Sequence, residues 1–393
     1  MLDAACVIDP RFCGGTAAAM ASDIAAFLEA GLRVGLAEVR SPYLDGAPDR
    51  RSPAIAALCA DPRITRLEPS ADRPVTARSV FLHHPMTFFY GICTPLRLRA
   101  EKTFLVAHHL PFRGDGSLQY DPIATARRVA RATGARPLWL PVSGLCRQQL
   151  RSFAPFIRLG ALDWPNVFDP TAWTPARQAF SSRRLVIGRH GRADPLKWPD
   201  TATGIAASLP CLPDTEIRVM GCPRADLEQM GADLSDWTIL DFDAQPVAGF
   251  LDGLDVFVYH FHPASSESFG RTVAEAMLMG AVCVLDPRLA PTFGDLALYC
   301  PPSGTAGVIE KLRRDPAAAR TLAARARAAI AQRHSLASVP ERLAALHNAA
   351  AAAAPGPRYA PPLEVLRKTL GMIRRGEYFP AHLAARRRGP GAA

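Results

Sequence analysis

Short apolar runs rich in β-branched residues alternate with helix-like stretches along the first half of the chain, and the alternation restarts in the second half. The predicted strands of the first half are CVIDP, RVGLAEV, SVFLHHP, TFLVAHH and PLWLPVS, and those of the second half are RLVIG, TEIRVMG, WTILD, DVFVY and AVCVLD. Strands that alternate with helices imply right-handed βαβ crossovers and parallel sheets covered on both faces. The chain is therefore predicted to be of the α/β class, with two such halves in tandem.

A segment rich in Pro, Trp and Ser, residues 163–184, separates the two series of strands. A length of 393 residues also favours two domains. We predict an N-terminal Rossmann-like domain over residues 1–165, a C-terminal Rossmann-like domain over residues 166–354 and a basic amphipathic tail over residues 355–393. Ligands of open α/β sheets bind beyond the carboxyl ends of the strands, so two such domains can face each other across a shared cleft.

Composition excludes several classes of protein. Hydrophobic residues make up 49% of the chain and charged residues 21%, which rules out a wholly disordered polypeptide. No apolar stretch is long enough to span a bilayer, and Asp3 stands where a signal peptide would carry a basic residue. Nine cysteines without a C-x-x-C pair fit neither a disulfide framework nor a zinc site. We therefore expect a cytoplasmic protein with reduced thiols.

The segment HPASSESFGRTVAEAMLMGAVCVLD carries two carboxylates around a helix predicted to begin near Arg271. Glu267 lies at the start of this helix and Glu275 lies inside it. A helix N-terminus presents free N–H groups and the positive end of the helix dipole, which favour an anion. Neighbouring serines such as Ser268 could hold a phosphorylated ligand while the carboxylates accept hydrogen bonds from its hydroxyl groups. Helix capping alone would also favour glutamate here.

A second segment, LVIGRHGRADPLKWPD, places two cations in a loop after a predicted strand. Arg192 and Lys197 are separated by a stretch that contains Pro195, so both can point at one site. Arginine offers a planar fork to phosphate oxygens and lysine offers a point charge, which makes the pair suitable for neutralising a diphosphate leaving group. A solvated basic loop is the alternative interpretation.

Taken together, these segments resemble signatures of the retaining GT-B glycosyltransferases that use nucleotide-sugar donors. ESFGRTVAEAMLMGAVCVLD resembles that family's two glutamates separated by seven residues, and GRADPLK resembles its Gly-Arg-x4-Lys motif. The resemblance implies a GT-B fold, in which two facing Rossmann-like domains enclose a cleft and a helical tail follows. It also implies transfer of a hexosyl or related sugar, with retention of anomeric configuration, to an unidentified glycan, lipid-linked or small-molecule acceptor.

The resemblance also implies roles for particular residues. Arg192 and Lys197 would bind the donor diphosphate and stabilise its departure, Glu267 would contact the donor sugar, and Glu275 would bind the ribose hydroxyl groups. The remaining donor-binding positions that it implies are Gly191, Ser268, Phe269, Gly270, Gly14 and Gly15. Trp198 departs from the family pattern, which usually has glycine after the lysine.

Several histidines are further candidates for site residues. The pairs His83-His84 and His108-His109 each follow a predicted strand. The resemblance implies that His108 lies beside the reacting sugar, and one member of each pair is interpreted as structural. Since folds of this type generally need no metal ion, we expect no cofactor, and we interpret His260 and His262 as loop or packing histidines.

The tail holds much of the excess positive charge. The formal net charge of the chain is +10, and Pro355 onward contains eight basic and two acidic residues, a net of +6. Apolar residues recur at helical spacing within a basic stretch, as in an amphipathic helix, at Leu363, Leu366, Leu370 and Ile373. Such a helix could pack back on the body, or it could lie on an anionic membrane surface and place the protein peripherally on the inner face of a membrane.

The sequence is also compatible with two other functions. A GT-B nucleotide-sugar epimerase would use the same fold, although the four charged residues of the two motifs argue against it. A non-catalytic basic binding protein is the other alternative. No nucleic-acid partner is expected, because the sequence has no aromatic-interleaved basic strand, zinc module or basic recognition helix.

Overall fold

The computed structural model describes residues 1–349 and 356–381. The chain forms two compact units. The first contains Met1–Val167 and the described residues from Leu336 onward, and the second contains Phe168–Ser335. Each unit is built around one six-stranded sheet in which all paired strands are parallel.

The sheet of the first unit has the strand order β3-β2-β1-β4-β5-β6. Its central strand is buried on both faces and is accordingly a continuous apolar run from Ala4 to Ile8. The elements of this part, in chain order, are β1 (Leu2–Ile8), α1 (Gly15–Glu29), β2 (Val34–Glu38), α2 (Pro53–Ala60), β3 (Ile64–Leu67), β4 (Val75–His83), α3 (Pro85–Phe89), β5 (Leu98–Ala107), α4 (Pro122–Thr133), β6 (Leu138–Pro141) and α5 (Gly144–Arg151).

The second unit repeats this topology with the order β12-β11-β10-β7-β8-β9. The strand order reverses between β1 and β4 in the first sheet and between β7 and β10 in the second, and such reversals are where open α/β sheets bind ligands. Its elements are β7 (Leu185–His190), α6 (Ala202–Ser208), β8 (Thr215–Met220), α7 (Arg224–Gln229), β9 (Trp237–Leu240), α8 (Val247–Asp252), β10 (Val256–Tyr259), α9 (Arg271–Leu278), β11 (Val282–Leu285), α10 (Ala290–Phe293), β12 (Leu298–Tyr299), α11 (Thr305–Arg314) and α12 (Pro316–Arg333).

All ten predicted strands are present, so the predicted α/β class and its two Rossmann-like halves are confirmed. Two strands were not predicted: β3 and β12. Both lie at the edge of a sheet; the first has two consecutive exposed polar residues between its apolar ends, and the second is two residues long. Of the helices in the described ranges, none is long and apolar enough to cross a membrane.

The predicted end of the C-terminal domain at residue 354 is wrong, because the second unit ends at Ser335. Helix α13 (Val339–Asn348) belongs to the first unit, where it packs against α1. A guanidinium N–H of Arg342 donates to the carbonyl of Pro165 at 3.1 Å, and the Ser79 hydroxyl lies 2.7 Å from His347 Nε2. These contacts draw the residues after Ser335 into the first unit, although their helical pattern continues that of α12.

The tail helix α14 (Pro362–Arg374) also packs on the first unit. The tail is anchored by the Ala360 N–H, which donates to Ser152 Oγ at 3.0 Å, and by the Tyr378 hydroxyl, which donates to Asp121 Oδ2 at 2.6 Å. Its buried side chains include Val365 and Met372, and the predicted apolar stripe faces solvent instead. The predicted tail extends further, but its basic residues Arg386, Arg387 and Arg388 lie outside the described residues.

Gly188 of β7 offers a test of how closely the central strands of the second sheet approach. A Cβ added there would lie 1.9 Å from the carbonyl oxygen of Arg218 on β8. We expect Gly188→Ala to lower the free energy of unfolding by about 1–3 kcal/mol or more, because the backbones must separate. Urea unfolding followed by circular dichroism measures this change.

Gly307 in α11 is the matched control, because a Cβ added there meets nothing within 4 Å. Gly307→Ala should stabilise the protein by roughly 0.5–1 kcal/mol through helix propensity. Equal unfolding midpoints for the two variants would contradict the close approach of β7 and β8.

Candidate functional site

The candidate site of the second unit lies at the carboxyl ends of β7 and β10, where the strand order reverses. The loop after β7 carries Gly191, Arg192 and Lys197, and the loop after β10 carries Glu267. Parallel strands bring their carboxyl ends to the same edge of a sheet, which explains why two segments far apart in sequence meet here.

Lys197 and Glu267 form an ion pair. Lys197 Nζ donates to Glu267 Oε2 at 2.5 Å, and the hydroxyl of Tyr259 donates to the same oxygen at 2.8 Å. Burial alone would raise the pKa of Glu267, but the charge of Lys197 and the two hydrogen bonds outweigh burial and hold that pKa below its ordinary value. Burial, followed by the charge of Glu267, raises the pKa of Tyr259 to about 12. At neutral pH the pair is charged and Tyr259 keeps its proton.

Arg189, a buried arginine that is not among the predicted site residues, supports this pair. Its guanidinium lies 4.2 Å from the ring centroid of Trp198 and 4.6 Å from that of Tyr259. It donates to the carbonyl of His260 at 2.9 Å and to that of Lys197 at 2.7 Å. Burial lowers its pKa to about 10, so it stays cationic at neutral pH. Trp198, where the family pattern has glycine, is thus one of the two aromatic rings that contact the Arg189 guanidinium.

Arg192 is exposed beside the pair, and its charge contributes to the lowered pKa of Glu267. It is the cation of this loop that solvent reaches most easily, since Lys197 is occupied by Glu267. The structure therefore brings Arg192, Lys197 and Glu267 together, as the two motifs predict. Gly191 lies between β7 and Arg192, and a Cβ added to it would meet nothing within 4 Å.

The loop before α9 is held by Arg288, which is not among the predicted site residues. Its guanidinium donates to four backbone carbonyls and pairs with Asp286 at 2.7 Å. The four carbonyls belong to Phe261, His262, Pro263 and Ser265, at 3.0 to 3.3 Å. This arginine fixes the path of the chain that leads to Glu267.

Helix α9 begins after Gly270, whose φ of 83° lies in the left-handed region that glycine tolerates. Phe269 is buried, with its ring centroid 6.0 Å from that of Phe293, and Ser268 beside it is half-buried. Glu275 is buried inside the helix, where Arg271 Nε lies 2.9 Å from its carboxylate. The two glutamates therefore have different partners.

His260 and His262 contact backbone groups. His260 Nε2 lies 2.9 Å from the carbonyl oxygen of Cys300, and His262 Nδ1 accepts from the Ala264 N–H at 3.0 Å. Burial lowers the pKa of His260 to about 4. Within residues 1–349 and 356–381, no group of three or more His, Cys, Asp or Glu side chains is placed to hold a metal ion.

The remaining predicted site residues lie in the first unit and are described there by themselves. Gly14 has a φ of 66° and precedes Gly15, the first residue of α1, and both are exposed. His108 follows β5 and is buried, with its Nε2 3.0 Å from His83 Nδ1. Burial lowers the pKa of His108 to about 3, so its ring is neutral. His84, with a φ of 73°, packs its ring 4.2 Å from that of Phe12.

Known proteins resemble this chain in structure. No protein-family model matches it, and no curated protein sequence matches it. Anabaena Alr3699/HepE, in its complex with UDP, superposes with a TM-score of 0.62 at 14% identity, covering 88% of this chain and 100% of HepE. A glycosyltransferase from Rickettsia africae superposes with a TM-score of 0.61 at 11% identity, covering 88% of this chain and 98% of that one.

AviGT4, a glycosyltransferase involved in avilamycin A biosynthesis, superposes with a TM-score of 0.53 at 15% identity, covering 88% of this chain and 97% of AviGT4. At such identities a structural match establishes architecture and leaves activity open. The chain has the two-unit α/β fold of the GT-B type that these glycosyltransferases share.

Proposed function

We propose that this protein is a glycosyltransferase that takes a sugar from a nucleotide-sugar donor. The observation that carries the proposal is the half-buried Lys197–Glu267 pair with Tyr259, next to exposed Arg192, at the strand-order reversal of the second sheet. Solved structures of the same fold support it, since HepE was crystallised with UDP and with UDP-glucose.

The chemistry of the donor explains the charges. Cleavage of the bond between the sugar and the diphosphate leaves negative charge on the diphosphate. Arg192 and Lys197 supply two cations for that charge, and fixed cations stabilise developing charge more than they stabilise the bound ground state. Arg189 adds a third positive charge, and its hydrogen bond to the Lys197 carbonyl holds that backbone in place.

Glu267 and Glu275 have separate proposed roles. The Glu267 carboxylate is ionised and has lone pairs beyond those used by Lys197 and Tyr259, so it can accept hydrogen bonds from sugar hydroxyl groups. Glu275 is proposed to accept from the ribose hydroxyl groups, with Arg271 orienting its carboxylate from one turn away. Ser268, Phe269, Gly270 and Gly191 shape the backbone around them.

The first unit is proposed to bind the acceptor. His108 is neutral, so its ring can donate a hydrogen bond to a sugar hydroxyl group or accept one from it. It does not act as a cation. Gly14 and Gly15, which are proposed to contact the donor, leave the N-terminus of α1 open to it. The proposal also includes retention of anomeric configuration, hexosyl transfer, independence from metal ions and a cytoplasmic location. These four parts rest on the motif resemblance and on composition.

Nucleotide binding tests the proposal directly. We expect one of UDP, GDP, ADP and TDP to bind, measured by isothermal titration calorimetry. Lys197→Met should weaken that binding by roughly 10- to 100-fold, because a charge-assisted hydrogen bond to phosphate is worth about 1.5–3 kcal/mol. Lys311→Met, which removes an exposed lysine of α11, is the matched control and should bind as the wild type does.

Thermal unfolding of both variants verifies that they are folded. If none of the four nucleotides binds, or if Lys197→Met and Lys311→Met bind equally well, the proposal is wrong. With the donor identified, NMR of the donor incubated without acceptor separates the alternatives: an isomerised sugar nucleotide would indicate an epimerase instead.

The ion pair also predicts how stability depends on pH. Because the pKa of Glu267 is lowered in the folded protein, its contribution to stability is present above the ordinary value of 4.5 and is lost as the pH falls through the lower, folded value. Glu267→Gln lacks that contribution at every pH. The difference in unfolding temperature between the wild type and Glu267→Gln should therefore be largest at neutral pH and shrink below pH 4.5.

Glu310→Gln serves as its control, because Glu310 pairs with Arg313 on the surface at 3.3 Å. That substitution should change stability by no more than about 0.5 kcal/mol at any pH. A difference between the wild type and Glu267→Gln that stays constant from neutral pH into acid would show that Glu267 is not a preformed anion.

A further inference from the structure

The outward face of α14 is apolar. Large hydrophobic side chains that are exposed in the described residues number eleven, and six of them fall between Tyr359 and Phe379. Those on and just after α14 are Leu363 at 78%, Leu366 at 55%, Leu370 at 46%, Ile373 at 53% and Phe379 at 63% exposed. A cluster of this kind on a water-facing surface marks an interaction site, whereas single exposed apolar residues do not.

The stripe is not the side of the helix that packs on the protein. With 100° per residue, the four apolar residues from Leu363 to Ile373 span roughly 80° of the helix circumference. Val365 and Met372 are buried on the other side. Because Tyr378 and the Ala360 N–H anchor the tail to the first unit, the orientation of the stripe is fixed.

Cations border this stripe. Arg367 and Arg374 are exposed and lie within about 80° of it on the helix circumference. Lys368 Nζ lies 3.1 Å from Glu364 and donates to the carbonyl of Gly116, which ties the helix to the loop before α4.

Beside the helix is a cleft of about 210 Å³, in which the lining cations Lys368 and Arg375 also pair with Glu364 and Glu377. Three cations and one carboxylate line it, together with smaller groups. The lining residues are Arg367, Lys368, Arg375, Asp115, Ser117, Leu118 and Gly371. The cleft adjoins the apolar stripe, because Arg367 lines the cleft and borders the stripe.

We propose that this face docks the protein on the surface of an anionic phospholipid bilayer. The stripe and Phe379 would enter the boundary between headgroups and acyl chains, as the apolar face of an interfacial amphipathic helix does. Arg367 and Arg374 are placed at the depth of the lipid phosphates, which attract basic side chains, and the cleft is large enough to take one headgroup phosphate.

Charge distinguishes a membrane from a second copy of this chain as the occupant. In an antiparallel two-fold contact between copies, each stripe would face its equivalent, and the edge that carries Arg367 and Arg374 would approach the same arginines of the partner. An anionic surface instead complements those charges. The proposal does not depend on the proposed catalytic activity, because it concerns a surface of the first unit alone.

Vesicle sedimentation of the full chain tests the proposal. We expect the wild type to sediment with vesicles of phosphatidylcholine mixed with phosphatidylglycerol far more than with phosphatidylcholine alone. The double variant Leu366→Asp, Leu370→Asp should partition at least roughly tenfold less into the mixed vesicles. Arg367→Gln combined with Arg374→Gln should lose roughly tenfold or more of the affinity for mixed vesicles only.

Matched controls keep the test specific. Phe242→Asp alters an apolar side chain of the second unit that is 47% exposed, and the pair Lys311→Gln, Arg314→Gln removes two exposed cations of α11. Both controls should bind vesicles as the wild type does. Circular dichroism and thermal unfolding of every variant report folding, which surface substitutions leave intact.

Three outcomes would overturn the proposal. One is a wild type that does not sediment with the mixed vesicles. Another is a Leu366→Asp, Leu370→Asp variant that binds them as well as the controls do. The third is a dimer in sedimentation velocity that dissociates in the leucine variant while no vesicle binding occurs, which would make the stripe a contact between copies.

Discussion

One buried guanidinium organises the candidate site. Arg189 ends up at the carboxyl end of β7, in a place where an unpaired charge would be costly. The chain compensates with two carbonyl acceptors and two aromatic faces, which come from the loop after β7, from the end of β10 and from the residue that follows β10. The same contacts that satisfy the charge also hold these segments in register. Lys197 meets Glu267 because its backbone carbonyl is one of those acceptors.

The shared topology of the two units explains where chemistry gathers in each. Both sheets reverse their strand order beside the first strand of the unit, so in each unit two loops must diverge there and leave a crevice. In the first unit these loops carry Gly14 and His84, and in the second they carry Lys197 and Glu267. The backbone fixes the place, and the side chains give the two crevices different character: neutral histidines in one and paired charges in the other.

Most of the fold and part of the candidate site could be predicted from the sequence. The other parts could not, for physical reasons. Buried parallel strands are continuous apolar runs, so they were recognisable, whereas the edge strand β3 has exposed polar residues. Arg192, Lys197 and Glu267 were found through motif spacing. Arg189 was not selected, because no local pattern shows that Trp198 and Tyr259 close on its two faces. Nor did the helical pattern around residue 335 reveal a change of unit, since α12 and α13 are both regular helices.

The path of the chain also sets an order of assembly. In sequence, the second unit is an insertion: its residues are contiguous, while those of the first unit flank it on both sides. The ends of the insertion are joined, since the Phe168 N–H donates to the carbonyl of His334 at 2.7 Å. During synthesis on the ribosome every residue of the inserted unit therefore emerges before α13 does. The surface of α1 that α13 covers must stay open until then, so the N-terminal half is the last to close although it is made first.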